Sequence, residues 1–567
     1  MRYSNLFGKT TKTVPRDVSV PSHKLLYKGG FIRQAASGFY SFLPLGMRVW
    51  TKIQAVIENE MDRIGCQRLV VPTLHPLEIW KVTSRDTAFG GEMFLTEDHS
   101  GSQFAIGATA EGMMVELVKK FSPSYRDLPI LIYQFSRKFR DEKRPRGGLL
   151  RVKEFMMKDA YSLCQSEEQA LKVYQKFYNA YLRIAEKLDL DPVPVEAESG
   201  AIGGDYNHEF IVLCEDGEST IFTCNSCDYA ASEDRAEFRR EEINLDEEER
   251  PFEIIEQPEW VKTMEDNVRH YGEPLYKYLK NVVYKTSDGD LVVASIRGDQ
   301  EVNEAKLRRV LGVAALEPAE PEDLAKIGTK PGYVHSWGIE GVTYIGDLGL
   351  TKVKNFIGGQ KEEETDSVNV NYGRDFEYEI LADIVMAEEG KLCPRCEHGK
   401  LEKKRGIEFG HCFKQDLFYT KPHRGYFVDE NGEGKPMWMG AYGIGIGRAM
   451  ATVVETHHDA KGIIWPESVA PYKVHLLDLN KEDSEVVGVA EDVYHKLQEA
   501  DIEVLYDDRE QSAGEKLADA DLIGIPWRVI VSSRSLEDGG VEVKKRGEDE
   551  EKVTGVDGLT LLLNRSN

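Results

Sequence analysis

No stretch of the sequence approaches the ~20 consecutive apolar residues that a membrane-crossing helix needs. The first residues, MRYSNLFGKTTKTVPRD, lack the apolar core of a signal peptide. Cysteine is scarce, eight in 567 residues, and four of the eight fall in two CxxC pairs. That usage suits a reducing compartment better than a disulfide framework, so a cytoplasmic protein without a membrane partner is expected. No internal repeat and no long low-complexity tract interrupts the chain, and the acidic run 241–249 reads as a solvated connector. Positive charge is also in short supply: 72 Lys and Arg against 98 Asp and Glu leave a formal net charge of −26. What remains is a globular composition, 41% hydrophobic and 30% charged, at a length that suggests about three to four domains.

Against this acidic background one segment stands out. Residues 135–161 read FSRKFRDEKRPRGGLLRVKEFMMKDAY, and between Arg137 and Lys158 lie nine Lys or Arg and three Asp or Glu. An acidic protein that holds polyanions must collect positive charge locally. The order of residues predicts two strands joined by a basic, Pro/Gly-interrupted loop, with Arg140 and Phe155 facing a common site. A planar guanidinium suits phosphate and carboxylate, and a ring opposite a second guanidinium, Arg151, can sandwich a purine. A basic hairpin on the surface is the alternative reading from charge alone.

The spacing FRxE, basic loop, RxxxF resembles motif 2 of the class II aminoacyl-tRNA synthetases, and RPRGG…EFMMKDAYS resembles the bacterial-type prolyl-tRNA synthetases. The resemblance continues along the chain. Residues 46–64 carry Met47, Val49, Trp50, Ile53, Val56, Ile57, Met61 and Ile64 at helical spacing, with Gly65 to end the helix and an apolar strand 68–71 running to Pro72. With SGFYSFLPLG before it, this resembles motif 1, which implies a homodimer. Thr109 and Glu111 fall where a strand gives way to a helix near Ala110; by themselves they could cap that helix. The resemblance makes them holders of the secondary ammonium of proline, although the chain reads GATAEG where the family has GPTHEE. Ser166 and Gln169 open a predicted helix 167–189 whose aromatic positions read as packing. GAIGGDYNHEF then resembles the strand before the family's large insertion.

Cys224 and Cys227 (CNSC) and Cys393 and Cys396 (CPRC) bracket that insertion. A two-residue spacer lets both thiolates of a pair face one metal, so the two pairs form a tetrahedral-zinc signature with a structural role; four reduced thiols are the alternative. Between them strands and helices alternate as an α/β domain. It resembles the editing domain that hydrolyses alanyl-tRNA-Pro, and editing has a physical motive, because a proline pocket discriminates against a smaller side chain by only about 1–3 kcal/mol per methylene. Lys280 and Asp347 match positions the family uses. Its GxxGP loop reads GYVHS at 332–336, and its usual histidine is Asp366.

GAYGIGIGR, 440–448, closely resembles motif 3, whose arginine, here Arg448, grips the γ-phosphate of ATP. His411 resembles the family's histidine at the proline pocket, while the following KQDLFYT departs from its LGT-containing segment. From Pro471 onward strands and helices alternate, which resembles the family's anticodon-binding domain; Ser512 stands where it has an arginine, leaving Arg509 or Lys516 to meet the anticodon guanines.

The expected fold is therefore multidomain, mixed α/β and α+β. It has a class II synthetase antiparallel-sheet catalytic core (1–223 and 408–468), an inserted α/β editing-like domain (224–407) and a C-terminal α/β anticodon-binding domain (469–567). The resemblance implies a proline–tRNA ligase that uses ATP with Mg²⁺, L-proline and tRNA-Pro. Arg140, Glu142 and Arg448 are the implied catalytic residues, and Thr109, Glu111, Arg140 and His411 hold proline. Arg140, Glu142, Arg151, Phe155 and Arg448 hold ATP, and Arg144 and Arg146 meet the tRNA acceptor end. Lys280 and Asp347 would serve editing. The departures at 108–112, 415–417 and 512 keep two alternatives open: a paralogue with altered or lost tRNA charging, and an RNA-binding accessory subunit.

Overall fold

The backbone reverses after residue 213 and returns at 405, and this divides the chain. The structure, a computed structural model, describes every residue except 17, 89, 199–205, 314, 361, 363 and 565–567. One compact unit comprises residues 1–194, 199–218 and 405–567; the other comprises 195–198 and 219–404. The GAIGGD part of the segment expected before the insertion lies at 200–205, outside the described residues. Among the described residues no helix is long and apolar enough to cross a membrane.

The first unit is built on an antiparallel sheet in which Tyr206–Leu213, Leu401–Asp416, Trp438–Gly445, Glu154–Cys164 and Ile130–Phe139 pair in that order. Gln67–Arg68 adds a short parallel edge. The strand expected over 68–71 is shorter than its apolar character suggests. Leu69 still donates its amide to Tyr133 O, but the Val71 amide turns to the side chain of Gln134, which ends the ladder. The helix Glu167–Lys187 lies on the sheet through Val173, Tyr174, Phe177, Ala180, Tyr181 and Ile184, and Ser166 accepts from the Gln169 amide as its cap. Phe177 stacks on Tyr442 with ring centroids 3.7 Å apart. A methyl group on Gly410 would sit 2.9 Å from the Tyr181 ring, so glycine is what lets this helix approach the strand.

The long amphipathic helix is Pro44–Arg63, begun by proline and ended at Gly65, whose φ of 79° is open to glycine at no cost. Its Val49, Ile53, Ile57 and Met61 are fully buried, while Arg48 and Lys52 both reach Glu503 in the C-terminal region. That region has the sheet order Val504–Asp507, Val474–Asp478, Trp527–Val531, Val541–Lys545, Glu551–Thr554. The first three strands are parallel and the last two antiparallel. Helices Ser484–Glu499 and Ala513–Ile523 are capped by Asp483 and Ser512.

In the second unit Leu316–Pro318, Leu279–Thr286, Leu291–Arg297, Val342–Asp347 and Ile380–Ala382 form one mixed sheet. The helix Glu304–Leu311 is capped by Asn303 and ended by Gly312 at φ 69°. The α/β alternation read from the sequence is present.

Candidate active site

The basic segment folds as a hairpin: Ile130–Phe139 pairs with Glu154–Cys164 from Ile130 opposite Leu163 to Phe139 opposite Glu154. The loop between them is closed at its base by the Arg140 amide donating to Lys153 O and higher up by the Arg146 amide donating to Arg151 O. Gly147 and Gly148, at φ 65° and 61°, turn it back. A side chain at Gly148 would come within 2.7 Å of the His23 ring.

Arg140 ends the first strand with its guanidinium 5.4 Å above the Phe155 ring. Its Nη2 reaches Ala108 O at 3.5 Å, and its Nε has no hydrogen-bond partner among the described residues. Burial, and then the charge of nearby Arg448, make its positive charge less favourable and lower its pKa. A half-buried cation repelled by a second cation is poised for an anion. The guanidinium over Phe155 is thus that of Arg140; Arg151 instead donates to Glu142 at 2.8 Å. Arg144 and Arg146 are exposed, and Arg146 pairs with Glu218 at 2.6 Å.

Arg448 opens the helix Ile446–Thr456 and ties it to the hairpin loop by donating Nε to Leu150 O at 3.0 Å. Its Nη1 meets Glu408 at 2.7 Å. Burial alone would raise the Glu408 carboxyl, but Arg448, His411 and Arg140 overcome it and hold the group down at about 2. His411 lies 3.5 Å from Glu408 and 3.7 Å from Glu209, with its ring stacked on Phe413. The ligating atoms of Glu209, Glu408 and His411 all fall within 4.8 Å of one another.

The helix Glu111–Val118 has Ala110 as its N-cap, without a side-chain cap bond. Thr109 Oγ1 instead donates to Glu111 Oε1 at 2.8 Å, and Arg85 donates to Oε2 at 3.0 Å. Burial pushes the Glu111 carboxyl up, while Arg85 and Thr109 more than reverse this and keep it ionised. Arg85 in turn lies over Trp80 and Tyr419, 4.8 and 5.1 Å from the ring centroids. The Ala110 amide donates to Tyr161 Oη at 3.1 Å, and Tyr161 donates to Asp159 at 2.9 Å. Lys138 and Gln134 hold the same Asp159 oxygen, each at 2.9 Å.

Arg85, Tyr161, Glu209 and Glu408 were not singled out from the sequence. Only Glu408, three positions before His411 on one strand, carried a local signal. The KQDLFYT segment nevertheless reaches this pocket. Gln415 Nε2 is 3.5 Å from Glu111, and Asp416 takes φ 51°, the left-handed turn that a glycine would fill more easily. Lys414 bonds Glu167 and Asp416.

The structure brings Arg140, Phe155, Arg448, His411, Thr109 and Glu111 into one neighbourhood, with Glu142 and Arg151 beside it. In the second unit Lys280 lines a cavity of about 540 Å³ with Gly332, Tyr333 and Asp366. Asp347 is not among the lining residues: its fully buried carboxylate pairs with Arg240 at 2.7 Å. The Sγ atoms of Cys224, Cys227, Cys393 and Cys396 lie within 4.8 Å of one another. In the C-terminal region Ser512 is a helix cap, Arg509 is bound to Asp507 and Asp519, and Lys516 is buried against Asp478. Arg509 and Lys516, the residues left to meet the anticodon guanines, are thus both engaged in ion pairs.

Residues 94–457 match the class II tRNA synthetase core domain (G, H, P, S and T), and residues 473–560 match an anticodon binding domain. The chain is 44% identical over 547 residues to the proline–tRNA ligase of Thermotoga sp. (strain RQ2), covering 96% of this chain and 94% of that one. It is 43% identical over 566 residues to that of Persephonella marina, covering all of both. The fold resembles the crystal structure of prolyl-tRNA synthetase from Cryptosporidium parvum complexed with halofuginone and AMPPNP. There the TM-score is 0.58 at 15% identity over 98% of this chain and 79% of the other. With motif 2, motif 3 and the Thr109–Glu111 pair gathered at one site and this likeness running the length of the sequence, the chain belongs to the proline–tRNA ligases of the class II aminoacyl-tRNA synthetase family.

Proposed function

We propose that the neighbourhood around Arg140 activates L-proline and passes it to tRNA-Pro. A carboxylate oxygen of proline attacks the α-phosphorus of ATP; the new P–O bond forms as the bond to the bridging oxygen breaks, releasing pyrophosphate. The prolyl group then moves from the adenylate to the terminal ribose of the tRNA. Arg140 neutralises the α-phosphate and the attacking carboxylate, where charge grows in the transition state. Phe155 stacks on the adenine, Arg151 and Glu142 orient the nucleotide as a pair, and Arg448 holds the γ-phosphate.

Thr109 and Glu111 receive the secondary ammonium, with His411 at the edge of the proline pocket. Arg144 and Arg146, on the exposed loop, meet the acceptor end. The carboxylates of Glu408 and Glu209 are hard oxygen donors that fit Mg²⁺ delivered with ATP, which lowers repulsion between nucleophile and phosphates. The observation that carries this reading is Arg140, a half-buried guanidinium whose buried Nε has no hydrogen-bond partner among the described residues. The test is proline-dependent pyrophosphate exchange: Arg140→Ala abolishes it, and near-normal exchange would overturn the assignment.

Editing of alanyl-tRNA-Pro is the reading for the Lys280 cavity, supported by its size and by Lys280 at its wall. Asp347 is assigned to folding through Arg240 instead. Release of alanine from alanyl-tRNA-Pro by the full chain, lost in Lys280→Ala, tests it. A cytoplasmic homodimer completes the proposal, supported by exposed Val70 and Leu74 beyond the long helix, 74% and 50% accessible. Light scattering that gives the mass of one chain would refute the dimer. The four cysteines belong to the other compact unit and take no part in this chemistry.

A further inference from the structure

Cys224 ends the strand Ser219–Cys224, Cys227 follows in the turn, and Cys393 and Cys396 stand just before the strand Leu401–Asp416. Residues 166 to 172 apart are thus brought together: Cys224 Sγ is 3.6 Å from Cys396 Sγ, and Cys227 Sγ is 3.6 Å from Cys393 Sγ. All four are free thiols rather than disulfides. Four thiolates held ~2.3 Å from one zinc ion stand ~3.8 Å from each other, so the spacing is that of a tetrahedron's edges.

The surroundings are those of a ligand cage. The Ser226 amide donates to Cys224 Sγ and the Arg395 amide to Cys393 Sγ, each at 3.3 Å, so within each pair the amide two residues on stabilises charge on the first sulfur. The two turns are also joined to each other. The Asn225 amide donates to Lys400 O at 3.1 Å, and the Lys400 amide donates back to Asn225 Oδ1 at 3.0 Å. Gly399 closes the cage: a methyl group there would stand 2.2 Å from Cys224 Sγ and 2.6 Å from Cys396 Sγ. Phe222, Tyr229 and Leu401 form an apolar shell that Cys393 joins and the other three thiols pack against.

We propose that Cys224, Cys227, Cys393 and Cys396 bind one Zn²⁺ as a closed, four-thiolate structural site that fastens the two ends of the excursion 219–404. Four protein ligands leave no open position for a substrate, so the ion's contribution is to folding. Because cysteines 166 to 172 residues apart meet only in the folded chain, the free energy of binding the ion adds to the stability of the fold.

The full-length protein, purified without chelator, is expected to carry one zinc per chain by elemental analysis. Zinc should be released by an organomercurial in step with titration of four thiols. The Co²⁺-exchanged protein should show the thiolate-to-cobalt charge-transfer band and visible d–d bands of a tetrahedral site. Cys224→Ser and Cys396→Ser should each weaken that band and lower the unfolding midpoint of the zinc-loaded protein. Where a variant does not fold, metal content of the unaltered chain decides. Protein without stoichiometric zinc, iron in its place, or a native disulfide among these four cysteines by non-reducing peptide mapping would overturn the assignment.

Discussion

Arg85 donates to Glu111 across 3.0 Å with both side chains almost wholly buried, 4% and 3% exposed. The carboxylate beneath the proposed ammonium site therefore has a resident cation, held between two aromatic faces. Glu111 stays ionised without its substrate, and the ligand's ammonium joins an existing pair.

Removing one partner from a buried pair leaves the other charge uncompensated, which costs about 3–5 kcal/mol. Arg85→Ala is expected to lose stability on that scale in urea unfolding. The double variant Arg85→Ala/Glu111→Gln should regain a large part of it while proline-dependent pyrophosphate exchange stays absent. A double variant no more stable than the single one would show that the charge on Glu111 is not the cause.

At Arg140 the geometry of the cation matters as well as its sign. Lysine keeps the charge but loses the planar fork that meets carboxylate and phosphate together. Arg140→Lys should therefore reduce exchange by about 10²-fold or more, on the scale seen when one preorganised donor is lost. Recovery to within tenfold of the unaltered enzyme would mean that a point charge suffices.

The helices were the most legible part of the chain. Residues 167–187 could be read because a cap and an apolar stripe both lie within one local stretch, and Arg140, Phe155 and Arg448 because they sit in compact motifs. What sequence could not supply was pairing across distance. Arg85 meets Glu111 from 26 residues away and Arg240 meets Asp347 from 107. Neither arginine has a local pattern that marks it. Lys516 looked available for RNA for the same reason, since Asp478 lies 38 residues away, whereas Arg509 has its partner Asp507 only two residues before it. The strand at 68–71 was over-read because apolar character does not show where backbone pairing stops, and the ladder ended where the Gln134 side chain took the Val71 amide.

Tyr161 touches none of the proposed substrates, yet it fixes the backbone between Thr109 and Glu111. In Tyr161→Phe the buried Ala110 amide loses its acceptor, at a cost of about 1–3 kcal/mol. The expected kinetic signature is a higher KM for proline with the KM for ATP nearly unchanged. A rise confined to ATP would place its influence elsewhere.

Glu408 gives the site a defined response to acid. Its folded pKa, about 2, lies below the ~4.3 of an unfolded glutamate, so its stabilising contribution is complete above that higher value. The contribution falls away as pH drops from ~4.3 through about 2. Glu408→Gln should therefore show a shallower loss of stability than the unaltered chain between pH 5 and pH 2, measured by thermal unfolding at each pH. Parallel curves would remove Glu408 from the acid response.

The reversal after residue 213 brings Cys214 and Arg405 into hydrogen-bonding contact at 3.1 Å, and Gly217 lies so near Gly406 that a methyl group on it would be 2.3 Å from that backbone. Departure and re-entry thus occupy adjoining rungs of one ladder. The pairing of Tyr206–Leu213 with Leu401–Asp416 is therefore set by their own register and not by the length of chain between them.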